Sequence, residues 1–150
     1  MGCVEIGRMR RRIRCCCSIA AIGVLLVGGL ASARAQGAPR GFKSPSNNIH
    51  CQYFDSELRC DIAQISSAIP PKPRDCELDW GQAFAVTANS RSGQRLCHGD
   101  TAMDDSLPTL PYGSSWRQGG ITCTSEQTGV TCSNALGHGF ALSRSSQRLF

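Results

Sequence analysis

Two stretches of the chain carry the same cysteine phrase. Ile49-His50-Cys51, six residues and Leu58-Arg59-Cys60 match Ile121-Thr122-Cys123, six residues and Val130-Thr131-Cys132. That spacing suits a β-hairpin closed on itself. Pairing Cys51 with Cys60 sets Phe54 opposite Glu57 and leaves Asp55-Ser56 as a two-residue loop, and the second copy puts Gln127-Thr128 at its tip. The cysteines then face each other at a non-hydrogen-bonded position, where the strands approach most closely and the Cβ separation of about 3.8 Å that a disulfide needs is best met. Ile49, Cys51, Tyr53, Leu58 and Cys60 share one face of this hairpin, while His50, Gln52 and Arg59 take the other. A slip of one residue would turn Ile49 and Leu58, or Ile121 and Val130, toward water, so the apolar pattern opposes it.

The other cysteines divide by position. Arg8 to Arg14 carries five arginines and no acid, Cys15 to Leu30 is an apolar or small-residue run of sixteen, and Ala33-Arg34-Ala35 closes it as a small-x-small box. These are the three parts of a secretory signal, with cleavage expected after Ala35. Sixteen helical residues cover about 24 Å, short of the roughly 30 Å hydrocarbon core, which argues against a retained anchor. A lipid anchor would need a cysteine after the apolar run, whereas Cys15, Cys16 and Cys17 stand at its start. Removing residues 1–35 leaves Cys51, Cys60, Cys76, Cys97, Cys123 and Cys132. An even set of six in a small exported chain reads as three disulfides, and no Cys-x-x-Cys pair supports structural zinc. With the two hairpins closed, Cys76 and Cys97 pair by elimination, although six cysteines allow fifteen connectivities.

Charge excludes further classes. The signal takes six of the sixteen basic residues and one acid, leaving ten of each sign. A chain with no net charge lacks the basic balance that nucleic acid or an anionic membrane calls for, so neither is expected as a partner, and stable membrane insertion is not expected after cleavage.

Along the exported part, residues 36–48 are rich in Gly, Pro, Ser and Asn and read as a flexible arm, with the domain over 49–150. Trp80 to Ala88 and Gln94 to His98 form a third hairpin around the turn residues Asn89 to Gly93. Asp61 to Ala68 has room for a short helical segment before Pro70, Pro71 and Pro73 impose an extended connector. Gly137 to Leu142 reads as the last strand. The fold class is therefore all-β: a small disulfide-rich domain of antiparallel hairpins.

Several phrases resemble an uncharacterised family of small exported bacterial disulfide-bonded domains, a domain of unknown function. They are Phe42 to Cys51, Arg59-Cys60-Asp61-Ile62, Cys76 to Gly81, Cys97 to Thr101, Leu110-Pro111-Tyr112-Gly113 and Gly137-His138-Gly139-Phe140. The resemblance implies no activity, catalytic residue, cofactor or ligand. Where the family has Ser-Gly-Asn-Ile before the first cysteine, this chain has Ser46-Asn47-Asn48-Ile49. Asparagine tolerates positive φ, so the turn survives.

Candidate chemistry is sparse. His50, His98 and His138 lack metal-ligand spacing, and His50 and His98, each beside a cysteine, fall on the sheet face opposite the sulfur, where surface positions are expected. His98 with Asp100, Asp104 and Asp105 offers an acid and a base for a hydrolase. No Gly-x-Ser-x-Gly elbow and no free cysteine supplies a nucleophile. Trp80, Tyr112 and Trp116 beside small residues offer rings to a glycan or a protein, or simply form core; Gly137-His138-Gly139 presents His138 or only a tight turn. The preferred reading is a non-enzymatic binding module, secreted or periplasmic, with a protein or glycan partner and a weak ligand set of Trp80, Tyr112, Trp116, His98, Asp100 and His138. No cofactor is expected. The alternative is the His98 hydrolase.

Overall fold

A computed structural model describes residues 40–150; the expected signal segment 1–35 and the start of the expected arm lie outside the described residues. Ten strands form two antiparallel sheets, each a simple meander. Sheet A runs β1 (Gly41–Lys43), β2 (Ile49–Phe54), β3 (Glu57–Ile62), β4 (Asp79–Thr87), β5 (Gln94–His98). Sheet B runs β6 (Ser115–Gln118), β7 (Ile121–Glu126), β8 (Gly129–Asn134), β9 (Gly139–Leu142), β10 (Gln147–Leu149). There is no helix among the described residues, so none is long and apolar enough to cross a membrane.

Both cysteine hairpins have the expected register. Cys51 faces Cys60 and Cys123 faces Cys132, with Cα atoms 4.0 Å apart in each bonded pair, the separation of the close, non-hydrogen-bonded position. Cys76 bonds Cys97. The turns differ although the registers agree. Asp55 and Ser56 both have positive φ, the twist that suits a two-residue hairpin loop. In the second hairpin the positive φ falls instead on Gly129, where a Cβ would lie 2.2 Å from the Leu142 carbonyl oxygen.

The duplication extends beyond the cysteines to all five strands. One cross-strand row of sheet A reads Phe42, Cys51, Cys60, Phe84 and Arg95. The corresponding row of sheet B reads Trp116, Cys123, Cys132, Phe140 and Leu149. The two rows meet in a single core: Phe42 packs on Trp116 at 5.5 Å and Phe84 on Phe140 at 6.2 Å between ring centroids. At the centre the sulfurs of Cys51, Cys60 and Cys132 lie within 4.8 Å of one another.

Four elements differ from the sequence expectation. The segment 36–48 was expected as an arm, but Gly41–Lys43 pairs with β2 and buries Phe42; one apolar residue in a three-residue strand leaves no periodicity to read. The short helix over 61–68 does not form. Asp61 and Ile62 belong to β3, and beyond them the Asn48 side chain accepts from the Gln64 amide and donates to its carbonyl, holding this backbone extended. Asn47, where the resemblance led to the expectation of a turn tolerant of positive φ, does adopt positive φ. Finally, Ser115–Gln118 is a strand, and β9 is followed by β10 rather than ending the sheet.

Equivalent registers imply equivalent contributions from the two hairpin bridges. In the chain-entropy treatment a loop of about 10 residues is worth about 2.7 kcal/mol, and the loop of about 22 residues closed by Cys76–Cys97 about 3.4 kcal/mol. Urea unfolding of Cys51→Ala/Cys60→Ala and of Cys123→Ala/Cys132→Ala should show similar losses, each at least about 2.7 kcal/mol because both sites are core. A loss confined to one hairpin contradicts the equivalence.

Candidate functional site

The first candidate residues to place are the acids. Residues 99–106, linking β5 to β6, run across the outer face of sheet A from β3 to β1 as a strap, and the outward side chains of that sheet hold it. Arg59 makes a two-point ion pair with Asp61, through Nε to Oδ1 at 2.8 Å and Nη2 to Oδ2 at 3.0 Å. The same guanidinium donates to the Asp100 carboxylate at 2.5 Å and to the Asp100 carbonyl at 2.8 Å. Asp61 Oδ2 also accepts the Ala102 amide at 2.8 Å and the Thr101 hydroxyl at 3.1 Å. Next along the strap, Gln52 donates to the Ala102 carbonyl. His50 Nδ1 lies 3.1 Å from the Asp104 amide, and Nε2 lies 3.2 Å from the Asn47 carbonyl. Nδ1 lies equally close, at 3.1 Å, to the Asp104 carbonyl oxygen, so the ring is held between the strap backbone and the Asn47 carbonyl. Lys43 Nζ closes the series on the Asp105 carbonyl at 2.7 Å.

This arrangement corrects the expected exposure of the outer face. His50 and Arg59 do point away from the sulfurs, yet they are 2 % and 6 % exposed, and Asp61 is 2 % exposed, because the strap covers them. Alternation along a strand reveals which face a residue takes, not what lies over that face. The charges are mutually satisfied. Burial alone would lower the Arg59 pKa, but hydrogen bonds and charge from Asp61 and Asp100 outweigh it and raise it. Asp100, hydrogen-bonded to Arg59, is held below the ordinary carboxylate range, and Asp104 is held down by its bonds from Ser106. Acids so placed serve as anchors, whereas an acid catalyst at neutral pH needs a pKa pushed upward.

His98 pairs across the sheet with Asp79 and borders an open cleft of ≈ 460 Å³ together with Asp61, Gln82, Asp100 and Thr101. Its Nδ1 lies 2.8 Å from the Asp100 carbonyl and therefore carries the proton, and its Nε2 is buried without a hydrogen-bond partner among the described residues. The structure thus brings His98 and Asp100 to one cleft. His138 is elsewhere, beside the β8–β9 turn, where the Asn134 side chain accepts its amide. Among the described residues, the only three His, Cys, Asp or Glu side chains whose ligand atoms cluster within 4.8 Å are the bonded core cysteines.

The aromatics separate as well. Trp116 is core, 5 % exposed and packed between Phe42 and Tyr53. Trp80 is half-buried and donates through Nε1 to the Pro70 carbonyl at 3.0 Å, which docks the proline connector. Tyr112 alone stands out, 45 % exposed. It borders a pocket of ≈ 190 Å³ with Glu126, Thr128, Ser46, Ser143 and Arg144. The sequence reading missed Glu126 and Arg144, because the β7–β8 tip and the β9–β10 loop are joined only by the fold. Neither the Tyr112 hydroxyl nor the Arg144 guanidinium has a hydrogen-bond or ion-pair partner among the described residues. A shallow notch holding Thr131, Ser146 and Arg148 shares Thr128, Gly129 and Ser143 with this pocket, so the two are continuous around the hairpin tip.

Fold and site together describe a disulfide-bonded β-sandwich of two duplicated meanders, with Asp61 and Asp100 held by Arg59 under the strap and Tyr112 and Arg144 open at the sheet B hairpin tip. The chain belongs to the family of unknown function DUF6636, whose model matches residues 20–150. No curated protein and no solved structure matches it.

The strap lock has a measurable cost when broken. Arg59→Met leaves Asp61 buried and unpaired and should lower stability by about 3–5 kcal/mol. A carboxyl with a depressed folded pKa adds stability that is complete above its unfolded value of about 3.9 and is lost as pH falls through the lower folded value. Thermal melts from pH 5 to pH 2 should therefore fall less steeply for Asp100→Asn than for the wild type. Identical slopes would contradict an ionised, Arg59-bound Asp100.

Proposed function

We propose that this domain is a non-enzymatic binding module that works outside the cytoplasm, in the periplasm, cell envelope or medium. Three disulfides support the location, since oxidising compartments preserve them. The observation that carries the binding reading is the division of polar groups between the two sheets. On sheet A, Lys43, His50, Arg59, Asp61 and Asp100 are spent on the chain's own strap. Around the sheet B hairpin tip, the Tyr112 phenol and the Arg144 guanidinium have no partner among the described residues and stand beside Glu126, whose carboxylate accepts from Thr128. An exposed ring next to an unpaired guanidinium is the kind of anchor that recognition surfaces use. The partner is a protein or a glycan.

The hydrolase reading has weaker support, because Asp100 and Asp104 lie on the low side of the carboxylate range and neither is poised to give up a proton. Titration of the ¹⁵N-labelled mature domain with peptide and oligosaccharide panels decides between the two. The expected result is shifts centred on Tyr112, Thr128 and Arg144, weakened at least tenfold in Kd by Tyr112→Ala/Arg144→Glu, with every ligand recovered intact. A ligand chemically cleaved by the wild type and spared by His98→Ala would replace this reading with the enzyme.

A further inference from the structure

The duplication gives each sheet an outer face built from two corresponding rows. Sheet A has Gly41, Gln52, Arg59, Ala85 and Gln94 in one row and Lys43, His50, Asp61 and Ala83 in the other. Sheet B has Ser115, Thr124, Thr131, Ala141 and Arg148, and Arg117, Thr122, Ser133 and Gly139. On sheet A these rows grip an acidic segment, Asp100 to Asp105, which crosses from β3 to β1. Among the described residues no strap is hydrogen-bonded over the rows of sheet B, and at one end the Arg148 guanidinium lies 4.6 Å over the Phe150 ring. Arg117 and Thr131 are exposed, and Thr122, Thr124 and Ser133 are only half-buried. Ser115 and Thr124 share a side-chain hydrogen bond on this face at 3.4 Å.

Charge distinguishes the bare face from the covered one. Residues 41–106 hold six Lys and Arg against nine Asp and Glu, while residues 107–150 hold three arginines against the single acid Glu126. Arg117 on β6 and Arg148 on β10 mark opposite ends of the bare face, four strand spacings or about 19 Å apart. The strap itself covers two strand spacings, from β3 to β1, so a segment that reaches both arginines is longer in its crossing and needs about six fully extended residues.

We propose that the outer face of sheet B docks an extended acidic peptide segment of a partner protein, laid across the strands as the chain's own strap is laid across sheet A. The hydroxyls of Thr122, Thr124, Thr131 and Ser133 meet its backbone, and Arg117 and Arg148 meet carboxylates near its ends. The inference rests on the binding-module reading and adds to the hairpin-tip pocket a second surface, with its own partner class.

The test uses fluorescein-labelled (Ser-Asp)₄, whose carboxylates share one side when extended, with (Ser-Lys)₄ as its opposite, in fluorescence polarisation at about 50 mM salt. The acidic peptide is expected to bind at least tenfold more tightly than the basic one and to lose most of its affinity at about 0.5 M salt. Arg117→Glu/Arg148→Glu should weaken it at least tenfold, and Thr131→Trp, a bulk placed at the centre of the face, should block it. Both variants should keep the wild-type melting temperature. Equal affinity for the two peptides, indifference to both variants, or preference for oligogalacturonate over the peptide overturns the proposal. Acidic peptide that shifts Tyr112 and Arg144 resonances but not those of Thr124 and Thr131 overturns this face and leaves the binding reading standing. A domain that binds nothing in any panel sinks both.

Discussion

The cross-strand bond between Cys51 and Cys60, repeated between Cys123 and Cys132, fixes the register from which every other feature follows. With the sulfurs opposed at the close position, Phe42 and Phe84 fall in line on sheet A and Trp116 and Phe140 on sheet B. The two rows face each other, so the aromatic residues pack at both ends and the sulfurs meet in the middle. Slipping either hairpin by one residue would expose its aromatic partners and bury its polar ones. The bridges exclude that error covalently.

The same register decides what the outer faces can do. With sulfurs inward, Arg59 and Asp61 must point outward, side by side with Gln52 and His50. A charged pair is costly to bury unless its remaining hydrogen-bonding capacity is met. Here the strap meets it, with Asp100, Thr101 and Ala102 completing the shells of Arg59 and Asp61. Sheet B carries small hydroxyl residues at the corresponding positions, which remain hydrated at little cost and demand no cover. One duplicated scaffold thus has a sealed face and an open one.

Much of this was legible in the chain. Spacing alone placed both hairpins, their registers and the inward sets around Ile49, Leu58, Ile121 and Val130. The third bridge followed by elimination. What the sequence could not supply was anything decided by long-range contact. Phe42 looked like part of an arm because its strand is too short for a period, and 61–68 looked helical because the grip of Asn48 on Gln64 is a tertiary bond. His98 and Asp100 line one cleft because they are near neighbours in the chain, but the Arg59 that commits Asp100 is forty-one residues away. Tyr112 was identified as a candidate without Glu126 and Arg144, which only the fold delivers to it.

The central claim is that the outward polar groups of β1 to β3 are committed to the strap, while Arg117 and Arg144 on the sheet B side stand open. Arginine reactivity reads this directly, because phenylglyoxal modifies accessible guanidinium groups and spares those held in buried ion pairs. Brief labelling of the folded, oxidised domain followed by peptide mass spectrometry should find Arg117 and Arg144 modified early and Arg59 untouched until the domain unfolds. Modification of Arg59 at the same rate as Arg117 would mean that the strap does not seal sheet A, and the division between the two faces would not stand.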